Sequence, residues 1–219
     1  MYKDGFGYDA TIKRTQDQST ITINGEIFIL KKHIYLGGGS NTRGTIVRIV
    51  VKPGGTKEYA IKDAWRQSTR EPEGDVLKYT TECLRDVWGD LPPKVAVYYN
   101  HQDLDTAKSI RKGLKPNGEE PDISHLVMST VGKRITEYAD LRQLLLVLRD
   151  ALEGLELLFE IGILHRDISI NNIIIEPTGH GVIIDLDYAV YTQDLLDGLE
   201  KPASYGDWTI HGDWCFGRQ

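Results

Sequence analysis

The first half of the chain alternates apolar and polar residues in the manner of β-strands. Two runs rich in β-branched residues, STITINGEIFIL (residues 19–30) and GTIVRIVVKPGGTKEYAIKDAW (residues 44–65), are interrupted by Asn-Gly and by Pro-Gly-Gly. Such short Gly-containing segments favour the tight turns of hairpins. The pattern therefore predicts an antiparallel sheet in this half of the chain.

A helix is predicted after the third of these strands. The segment EPEGDVLKYTTECLRDVW (residues 71–88) has a proline near its start and apolar residues at Val76, Leu77, Leu84 and Val87. Strand patterns return in residues 94–101 and 124–131. The polar stretch between them, residues 102–122, contains Pro and Gly and is longer than most connections, so we expect an exposed insertion.

From Asp140 onward the apolar period becomes that of a helix, and Gly162 marks its end. Asp140 and Gln143 form an arrangement typical of a helix N-cap. One residue every three or four positions is apolar, and we call this set the leucine stripe: Leu141, Leu145, Leu148, Leu152, Leu155 and Phe159. We expect the stripe to be a core face. Its nearly heptad spacing leaves a coiled-coil seam as the alternative, although fewer than four heptads favour a core helix.

Composition narrows the function classes. The 219 residues are enough for one domain or two small lobes, and a net charge of −6 gives no footprint for nucleic acid or anionic membrane. No apolar run reaches the length of a spanning helix, and the start has no signal-peptide core, so we expect a soluble intracellular protein, cytoplasmic or nuclear. Cys83 and Cys215 are far apart and match no metal or redox spacing, which fits a reducing compartment.

The most informative stretch is ILHRDISINNIIIEPTGHGVIIDLDYA, residues 163–189. His165, Arg166, Asp167 and Asn172 match H-R-D-x-x-x-x-N, and Asp185 lies where a metal-binding Asp is expected. Phosphoryl transfer from a nucleotide needs positioned metal ions, a carboxylate near the attacking hydroxyl and a cation on the phosphates. The two short apolar runs around the motif predict the hairpin that such a loop requires.

With these motifs the sequence resembles the eukaryotic protein kinases, and within them the fungal-type protein kinase family. The closer likeness lies in GYDATI, RGTIVR, AIKDAW, PEGDVL, ILHRDISINNI and IIDLDYA, which together cover nearly the whole chain. The resemblance implies an α+β, two-lobed, protein kinase-like fold. Residues 1–131 would form an antiparallel β-sheet N-terminal lobe with one helix, and residues 132–219 a partial helical C-terminal lobe.

The resemblance also implies roles for the motif residues. Asp167 would orient or deprotonate the acceptor hydroxyl, and Asn172 and Asp185 would hold Mg²⁺. Lys62 in YAIKDAW would pair with the phosphates of ATP. Its helix partner would be Glu73, placed ahead of Glu82 because apolar residues follow Glu73 at the spacing of a core face.

The glycine-rich segment LGGGSNTRGTIV admits two registers. Gly39, Asn41 and Gly44 can occupy the three glycine places of a nucleotide loop, or Gly44 can be central with Arg43 beside it, as in the fungal family. Either register would let backbone N–H groups approach the phosphates.

Three features depart from the common kinase pattern. Ser169 stands where many serine/threonine kinases have a lysine, and Asp185-Leu186-Asp187 replaces D-F-G; both fit the fungal family. The residues after Asp187 contain no A-P-E. We therefore expect a C-terminally incomplete domain whose leucine stripe is partly uncovered.

The function inferred from the resemblance is an ATP- and Mg²⁺-dependent protein kinase acting on Ser or Thr hydroxyls, with an unknown protein substrate and no nucleic-acid or membrane partner. Two alternatives stay open. One is a catalytically silent pseudokinase or interaction module. The other is a small-molecule phosphotransferase of the aminoglycoside or choline kinase type, against which Arg166 of the H-R-D motif argues.

Overall fold

The structure is a computed structural model that describes residues 11–16, 18–36, 45–67, 70–89, 91–104 and 121–195. The chain has the α+β composition that the sequence predicted. The strands are β1 Ile12–Arg14, β2 Ser19–Ile23, β3 Glu26–Leu36, β4 Ile46–Val51, β5 Glu58–Gln67, β6 Tyr98–Leu104, β7 Pro121–Met128, β8 Lys133–Arg134, β9 Ile163–Leu164, β10 Ile173–Ile175, β11 Gly181–Ile183 and β12 Val190–Tyr191. The helices that lie wholly within the described residues are α1 Glu73–Trp88 and α2 Leu141–Glu160, with 3₁₀ turns at Ile135–Glu137 and Ile170–Asn172, and residues 192–195 are also helical.

The chain divides into two compact units. Residues 1–74 and 98–131 form the first unit, and residues 75–97 and 132–219 form the second. Whether they are the two lobes expected from the sequence, divided after residue 131, stays a prediction. None of the described helices is long and apolar enough to cross a membrane.

The first unit contains a seven-stranded antiparallel sheet in the order β1-β2-β3-β4-β5-β7-β6. The predicted hairpin turn at Asn24 and Gly25 is confirmed, since both residues have positive φ angles of 48° and 80°, as a type I′ turn requires. The turn between β4 and β5 contains the Pro-Gly-Gly segment, also as predicted. Side chains from β2 to β5 and β7 fill the core of the sheet, with Ile23, Phe28, Val50, Ile61 and Val127 fully buried.

The predicted helix after β5 is confirmed as α1, but the strand predicted from Lys94 begins only at Tyr98. The backbone before it is used elsewhere. Within the second unit, the Ala96 N–H donates to the Ile183 carbonyl at 2.8 Å, and the Ile183 N–H donates to the Lys94 carbonyl at 2.9 Å. Residues 94–96 therefore pair with the end of β11 instead of extending β6.

The second unit is organised around α2, which begins as the sequence predicted. The Asp140 carboxylate accepts a hydrogen bond from the Gln143 backbone N–H at 2.8 Å, and the Gln143 amide oxygen accepts one from the Ala139 N–H at 2.7 Å. The first bond satisfies a backbone donor that the first turn of a helix leaves open, and the second ties the residue before the N-cap to the same turn. Gly162, which follows the helix, has a φ of 80° that favours glycine.

The prediction that the leucine stripe forms the core face of α2 was wrong, whereas the expectation that the stripe is partly uncovered is confirmed. Leu141, Leu145, Leu152 and Phe159 are each 64–69% exposed. The helix instead buries a second stripe: Val147, Asp150, Ala151, Gly154 and Leu158.

Small residues explain the choice of face. A Cβ added at Gly154 would lie 2.6 Å from the Lys94 carbonyl oxygen, and one added at Gly181 would lie 2.8 Å from the Val147 Cα. Glycine at both positions lets the neighbouring backbones approach α2 more closely than leucine side chains would allow.

Candidate active site

The first unit brings together Lys62 on β5 and Glu73, the first residue of α1. The Lys62 Nζ lies 2.6 Å from the Glu73 Oε2, and both side chains are less than a tenth exposed. Charges this deeply buried persist in proteins when they are paired and hydrogen-bonded. Glu82, the other candidate partner, is exposed. The structure therefore selects Glu73 as the carboxylate that holds Lys62.

Local sequence places Glu73 against the sheet. Pro72 precedes the helix, where a proline suits the first turn, and a carboxylate near a helix N-terminus interacts favourably with the helix dipole. Gly74 comes next, and a Cβ added there would lie within 2.7 Å of the His101 side chain on β6. A residue with a side chain at position 74 would push the first turn of α1 away from the sheet.

In the second unit, the loop predicted to be catalytic joins β9 to β10. The Asn172 Nδ2 donates to the Asp167 carbonyl oxygen at 2.8 Å and to the Asp167 Oδ2 at 3.0 Å. Asn172 is buried and Asp167 is half-buried. Because both Asn172 contacts use its amide nitrogen, the amide oxygen lies on the other side of the carboxamide, where it can serve as a metal ligand.

The buried ring of His165 fixes the backbone of this loop through two hydrogen bonds. Its ring is 3% exposed, and its Nδ1 accepts a hydrogen bond from the Asp167 backbone N–H at 3.2 Å. The Nε2 lies 3.1 Å from the Ile184 carbonyl oxygen, so the tautomer with its proton on Nε2 satisfies both contacts. His165 thus ties the Asp167 backbone to the residue that precedes Asp185.

The register of the β10–β11 hairpin aligns the two candidate metal ligands. Ile173 is opposite Ile183, so Asn172 and Ile184 come next in register, and the Ile184 N–H donates to the Asn172 carbonyl at 3.0 Å. Asp185 follows directly. The hairpin predicted from the two apolar runs is present, and it brings Asn172 and Asp185 to the same end.

Two residues of this region have a strained backbone. Arg166 has a φ of 65° and Asp185 a φ of 70°, a left-handed conformation that costs non-glycine residues about 1 kcal/mol or more. Asn24 in the β2–β3 turn is the third such residue in the described part of the chain. Strain of this kind persists where the surrounding contacts over-determine it, and it is enriched at functional sites.

The donor set fits a particular kind of metal ion. Among the described residues there is no cluster of three or more His, Cys, Asp and Glu side chains able to hold a metal. Asn172 and Asp185 offer an amide oxygen and a carboxylate, which suit a hard cation. Mg²⁺ keeps several waters and takes one or two protein oxygens together with phosphate oxygens, so a sparse set is sufficient.

Other sequence predictions fall in different places. Gly39 and Gly44, proposed for the nucleotide loop, lie outside the described residues, as does Cys215. Ser169 is half-buried and precedes the 3₁₀ turn that ends at Asn172. Leu186, which takes the place of the D-F-G phenylalanine, is 2% exposed, so its side chain is a core residue.

Sequence reasoning missed the fully buried Asp150 on α2. Its carboxylate accepts hydrogen bonds from Lys94, Arg149, His180 and the Gly181 N–H at 2.7–3.0 Å. Burial opposes the charge of this carboxylate, but the hydrogen bonds from Lys94 and Arg149 outweigh it and lower its pKa well below the usual range. The sequence signal that could have identified it is that Asp150 is the one charged residue in the small and apolar stripe that α2 buries.

A second missed cluster lies beside Lys62 in the sequence. Asp63 forms an ion pair with Arg48 on β4 and a 2.7 Å contact with the His125 Nδ1 on β7, and the His125 Nε2 lies 2.9 Å from the Thr11 hydroxyl. His125 is fully buried. The cross-strand register explains the grouping, because Asp63 is directly opposite His125. The cluster ties three strands around the position of Lys62.

A comparison with protein families decides the relationship. The family described as fungal protein kinase matches residues 1–124 and 118–203, which is most of the chain. The chain belongs to the fungal protein kinase family. No curated protein matches it significantly.

Family membership narrows the functional alternatives. The match confirms the resemblance stated from the motifs and supports kinase activity at the level of the family. It favours a protein kinase over a small-molecule phosphotransferase. The match does not distinguish an active kinase from a silent member of the same family. That distinction depends on the candidate catalytic and metal-binding residues described above.

Proposed function

We propose that the chain is an ATP- and Mg²⁺-dependent protein kinase domain that transfers the γ-phosphate to Ser or Thr hydroxyls of a protein substrate. We further propose that its two compact units correspond to the N-terminal and C-terminal lobes of a kinase-like fold. The observation that carries the proposal is the double contact from Asn172 to Asp167, because it joins the candidate base to a candidate metal ligand.

Asp167 is proposed as the group that receives the acceptor proton. Its Oδ2 accepts a hydrogen bond from the Asn172 amide, which leaves the Oδ1 for the hydroxyl of the substrate. As the hydroxyl oxygen forms its bond to the γ-phosphorus, the bond to the β–γ bridging oxygen breaks, ADP leaves, and the hydroxyl proton moves to Asp167.

Lys62 is proposed as the phosphate-binding cation. A flexible lysine alone would sample many rotamers, but the 2.6 Å contact with Glu73 fixes its ammonium group in a buried position. A preorganised charge stabilises a phosphate without reorganisation during the reaction. Glu73 acts through Lys62 and is therefore a positioning residue.

Asn172 and Asp185 are proposed as the Mg²⁺ ligands. The ion would neutralise phosphate charge and align the transferred group. The protein contributes the placement of its two oxygens, which the β10–β11 register and the Ile184 hydrogen bond hold at the same hairpin end. The strained φ of Asp185 supports this assignment, because strain without function would be expected to disappear.

The experiment measures nucleotide binding and turnover separately on purified wild type, Asp185→Ala and a control, Asp86→Asn, which alters an exposed carboxylate on α1. We expect Mg²⁺ to strengthen ATP binding to wild type and to the control, and to have no effect on Asp185→Ala. Turnover on a library of Ser- and Thr-containing peptides tests the acceptor class. Identical Mg²⁺ dependence in all three proteins would remove Asp185 from the site.

A silent kinase is the second candidate function. Ser169 replaces a lysine found in many serine/threonine kinases, and the Asp185-Leu186-Asp187 segment lacks the glycine of D-F-G. Both changes remove groups that other kinases use. Saturable ATP binding without turnover on any acceptor, with Asp167→Asn no different from wild type, would establish this alternative in place of catalysis.

A further inference from the structure

The sheet of the first unit curls until strands that are not neighbours in it come together. The Thr11 hydroxyl, just before β1, lies 2.9 Å from the His125 Nε2 on β7, although several strands separate β1 from β7 in the sheet. The β2–β3 turn is joined to β6 in the same way, because the Asn24 side chain donates to the His101 carbonyl at 2.8 Å. A curled sheet has a concave inner face, and the mouths of such structures are frequent places for small-molecule sites.

A cavity of about 300 Å³ lies beside the buried core of this sheet. It is lined by residues of β1 to β4: Ile12, Arg14, Ser19, Ile21, Leu30 and Arg48. Ile12 is opposite Ile21 and Arg14 is opposite Ser19, and residues two apart on a strand point to the same face. The cavity is therefore built from the regular alternation of the strands.

The lining of the cavity combines an apolar wall with two guanidinium groups. Ile21 belongs to the buried core, and Ile12 and Leu30 pack against that core. The two charged lining residues are both arginines, of which Arg48 is 7% exposed and Arg14 is exposed. A guanidinium group presents a planar fork of N–H donors that matches the two oxygens of a carboxylate. An anion with an apolar body is thus complementary to this lining.

The charges around Arg48 indicate the charge of that anion. Asp63 on β5 forms an ion pair with Arg48 and lies 2.7 Å from the His125 Nδ1. The neutral tautomer of His125 with its proton on Nδ1 satisfies the contacts with both Asp63 and Thr11. Arg14 has no ion-pair partner within the described part of the chain. Two guanidinium groups against one carboxylate leave a single positive charge, which a monoanion neutralises.

The cavity is separate from the proposed nucleotide site. Lys62 and Asp63 are consecutive residues of β5, so their side chains point to opposite faces of the sheet. Lys62 pairs with Glu73 on α1, whereas Asp63 pairs with Arg48 at the cavity. The residues of the cavity are therefore available for a ligand that is not part of the phosphoryl transfer.

We propose that the cavity binds a small carboxylate with an apolar body, of the size class of a medium-chain fatty acid. Arg14 and Arg48 hold the carboxylate, and the wall formed by Ile12, Ile21 and Leu30 covers the apolar body. A volume of about 300 Å³ is at the lower end of the range of small-molecule sites, which excludes larger ligands. The proposal does not depend on catalysis, because no residue assigned to ATP, Mg²⁺ or the acceptor lines the cavity.

Isothermal titration calorimetry of the full 219-residue chain with three probes tests the class of ligand. Octanoate carries a carboxylate and an apolar body, octanol lacks the charge, and inorganic phosphate lacks the apolar body. We expect saturable binding of octanoate at one site, and binding at least about tenfold weaker for the other two probes. Octanol that binds as tightly as octanoate, or octanoate that does not bind saturably, would overturn the proposal. Octyl phosphate that binds more tightly than octanoate would overturn the assignment of a carboxylate.

A pair of charge substitutions tests the location of the site. Arg14→Gln removes a guanidinium group from the cavity and should weaken octanoate binding at least about tenfold. The matched control is Lys13→Gln, which removes the same charge from the neighbouring residue of β1, whose side chain points to the opposite face and does not line the cavity. The control should bind octanoate like wild type. Equal effects of the two substitutions would place the bound octanoate elsewhere and overturn the proposal.

Filling the cavity tests the same location without changing any charge. Ser19→Leu places a larger apolar side chain in the cavity and should abolish octanoate binding. Binding unchanged in this variant would contradict the proposal. Circular dichroism and thermal melting verify that each variant is folded. Because Lys13 and Arg14 are both exposed, the comparison between them remains decisive if Ser19→Leu does not fold.

Discussion

The candidate functional residues form two groups, one in each compact unit, which we call the Lys62 half and the loop half of the proposed site, and the two groups are held in place in opposite ways. Lys62 and Glu73 lie on a regular strand and a regular helix, and a single buried ion pair of 2.6 Å joins them. Asp167 and Asp185 lie on loops and Asn172 ends a 3₁₀ turn. They are held by hydrogen bonds from the Asn172 side chain to Asp167 and from the Ile184 N–H to the Asn172 carbonyl, and Arg166 and Asp185 have positive φ. One half depends on charge pairing in a low-dielectric interior, and the other depends on hairpin register and stored strain. Substitutions in the buried ion pair should therefore be detected as changes in stability, and substitutions in the loop residues as changes in turnover.

The largest expected effect is on turnover. Asp167→Asn removes the proposed base while keeping the size of the side chain, so we expect turnover to fall by roughly 100- to 10,000-fold with ATP affinity retained. A steady-state phosphotransfer assay and an ATP titration on the same preparations measure the two quantities. Asp86→Asn is the control and should match wild type. Unchanged turnover would assign Asp167 a structural role, and the loop residues would then differ from the buried ion pair only in how they are held in place.

The buried ion pair is expected to show its effect in stability. Lys62→Met leaves the Glu73 charge buried without its partner and should lower the free energy of unfolding by about 3–5 kcal/mol. Lys62→Met combined with Glu73→Met removes both charges and should recover most of this loss, because apolar side chains of similar volume suit a buried site. Denaturant unfolding measures both variants. A single variant as stable as the double variant would show that the pair does not hold the first unit together.

The sequence was sufficient to predict those parts of the site that depend on local pattern. The H-R-D-x-x-x-x-N motif rests on fixed spacings, the following hairpin on two apolar runs, and the choice of Glu73 on the apolar residues that follow it. The Asn24-Gly25 turn and the Asp140 cap are equally local, and the structure contains both.

The parts that could not be predicted depend on contacts between segments distant in the sequence. The leucine stripe has the stronger apolar period, yet α2 buries the face with Ala151 and Gly154, whose small size matters only because the Lys94 backbone approaches there. Asp150 and Lys94 are 56 residues apart, and no spacing rule links them. Long-range packing decided which of two available helix faces became the core.

Asp150 offers a third test, which concerns the scaffold behind the loop half. Asp150→Asn keeps the shape but removes the charge that accepts hydrogen bonds from Lys94 and Arg149, so we expect a loss of about 2 kcal/mol in the free energy of unfolding at pH 7.

The pH dependence of that loss has a definite sign. The pKa of Asp150 is lowered in the folded chain, so its contribution to stability is fully present above the unfolded pKa of about 3.9 and is lost as the pH falls further. The difference in unfolding free energy between wild type and Asp150→Asn, measured from pH 7 down to pH 2, should begin to narrow below about pH 4 and continue to narrow as the pH falls toward the lowered pKa of the folded chain. A difference that stays constant over this range would exclude the charge as its cause.

The smallest expected effect sharpens the role of strain. Arg166 has a φ of 65°, which glycine adopts without penalty and alanine does not. Arg166→Gly should therefore be more stable than Arg166→Ala by about 1 kcal/mol or less, since the flexible unfolded glycine chain offsets part of the gain. The same pair of substitutions at Arg85, an exposed residue inside α1, should give the opposite order, because glycine is unfavourable there.

The alignment of Asn172 with Ile184 also bears on how this kinase family can tolerate insertions and deletions. The turn of the hairpin, residues 177–179, lies beyond the last paired residues Ile175 and Gly181, so a residue gained there lengthens the loop and leaves the paired ends in step. An insertion within Ile173–Ile175 would shift the strand register, so that Asn172 would no longer align with Ile184. The strand residues that precede the insertion would then present their side chains to the opposite face of the hairpin. Among active members of this family, insertions and deletions should therefore be found in the turn and be absent from the strands.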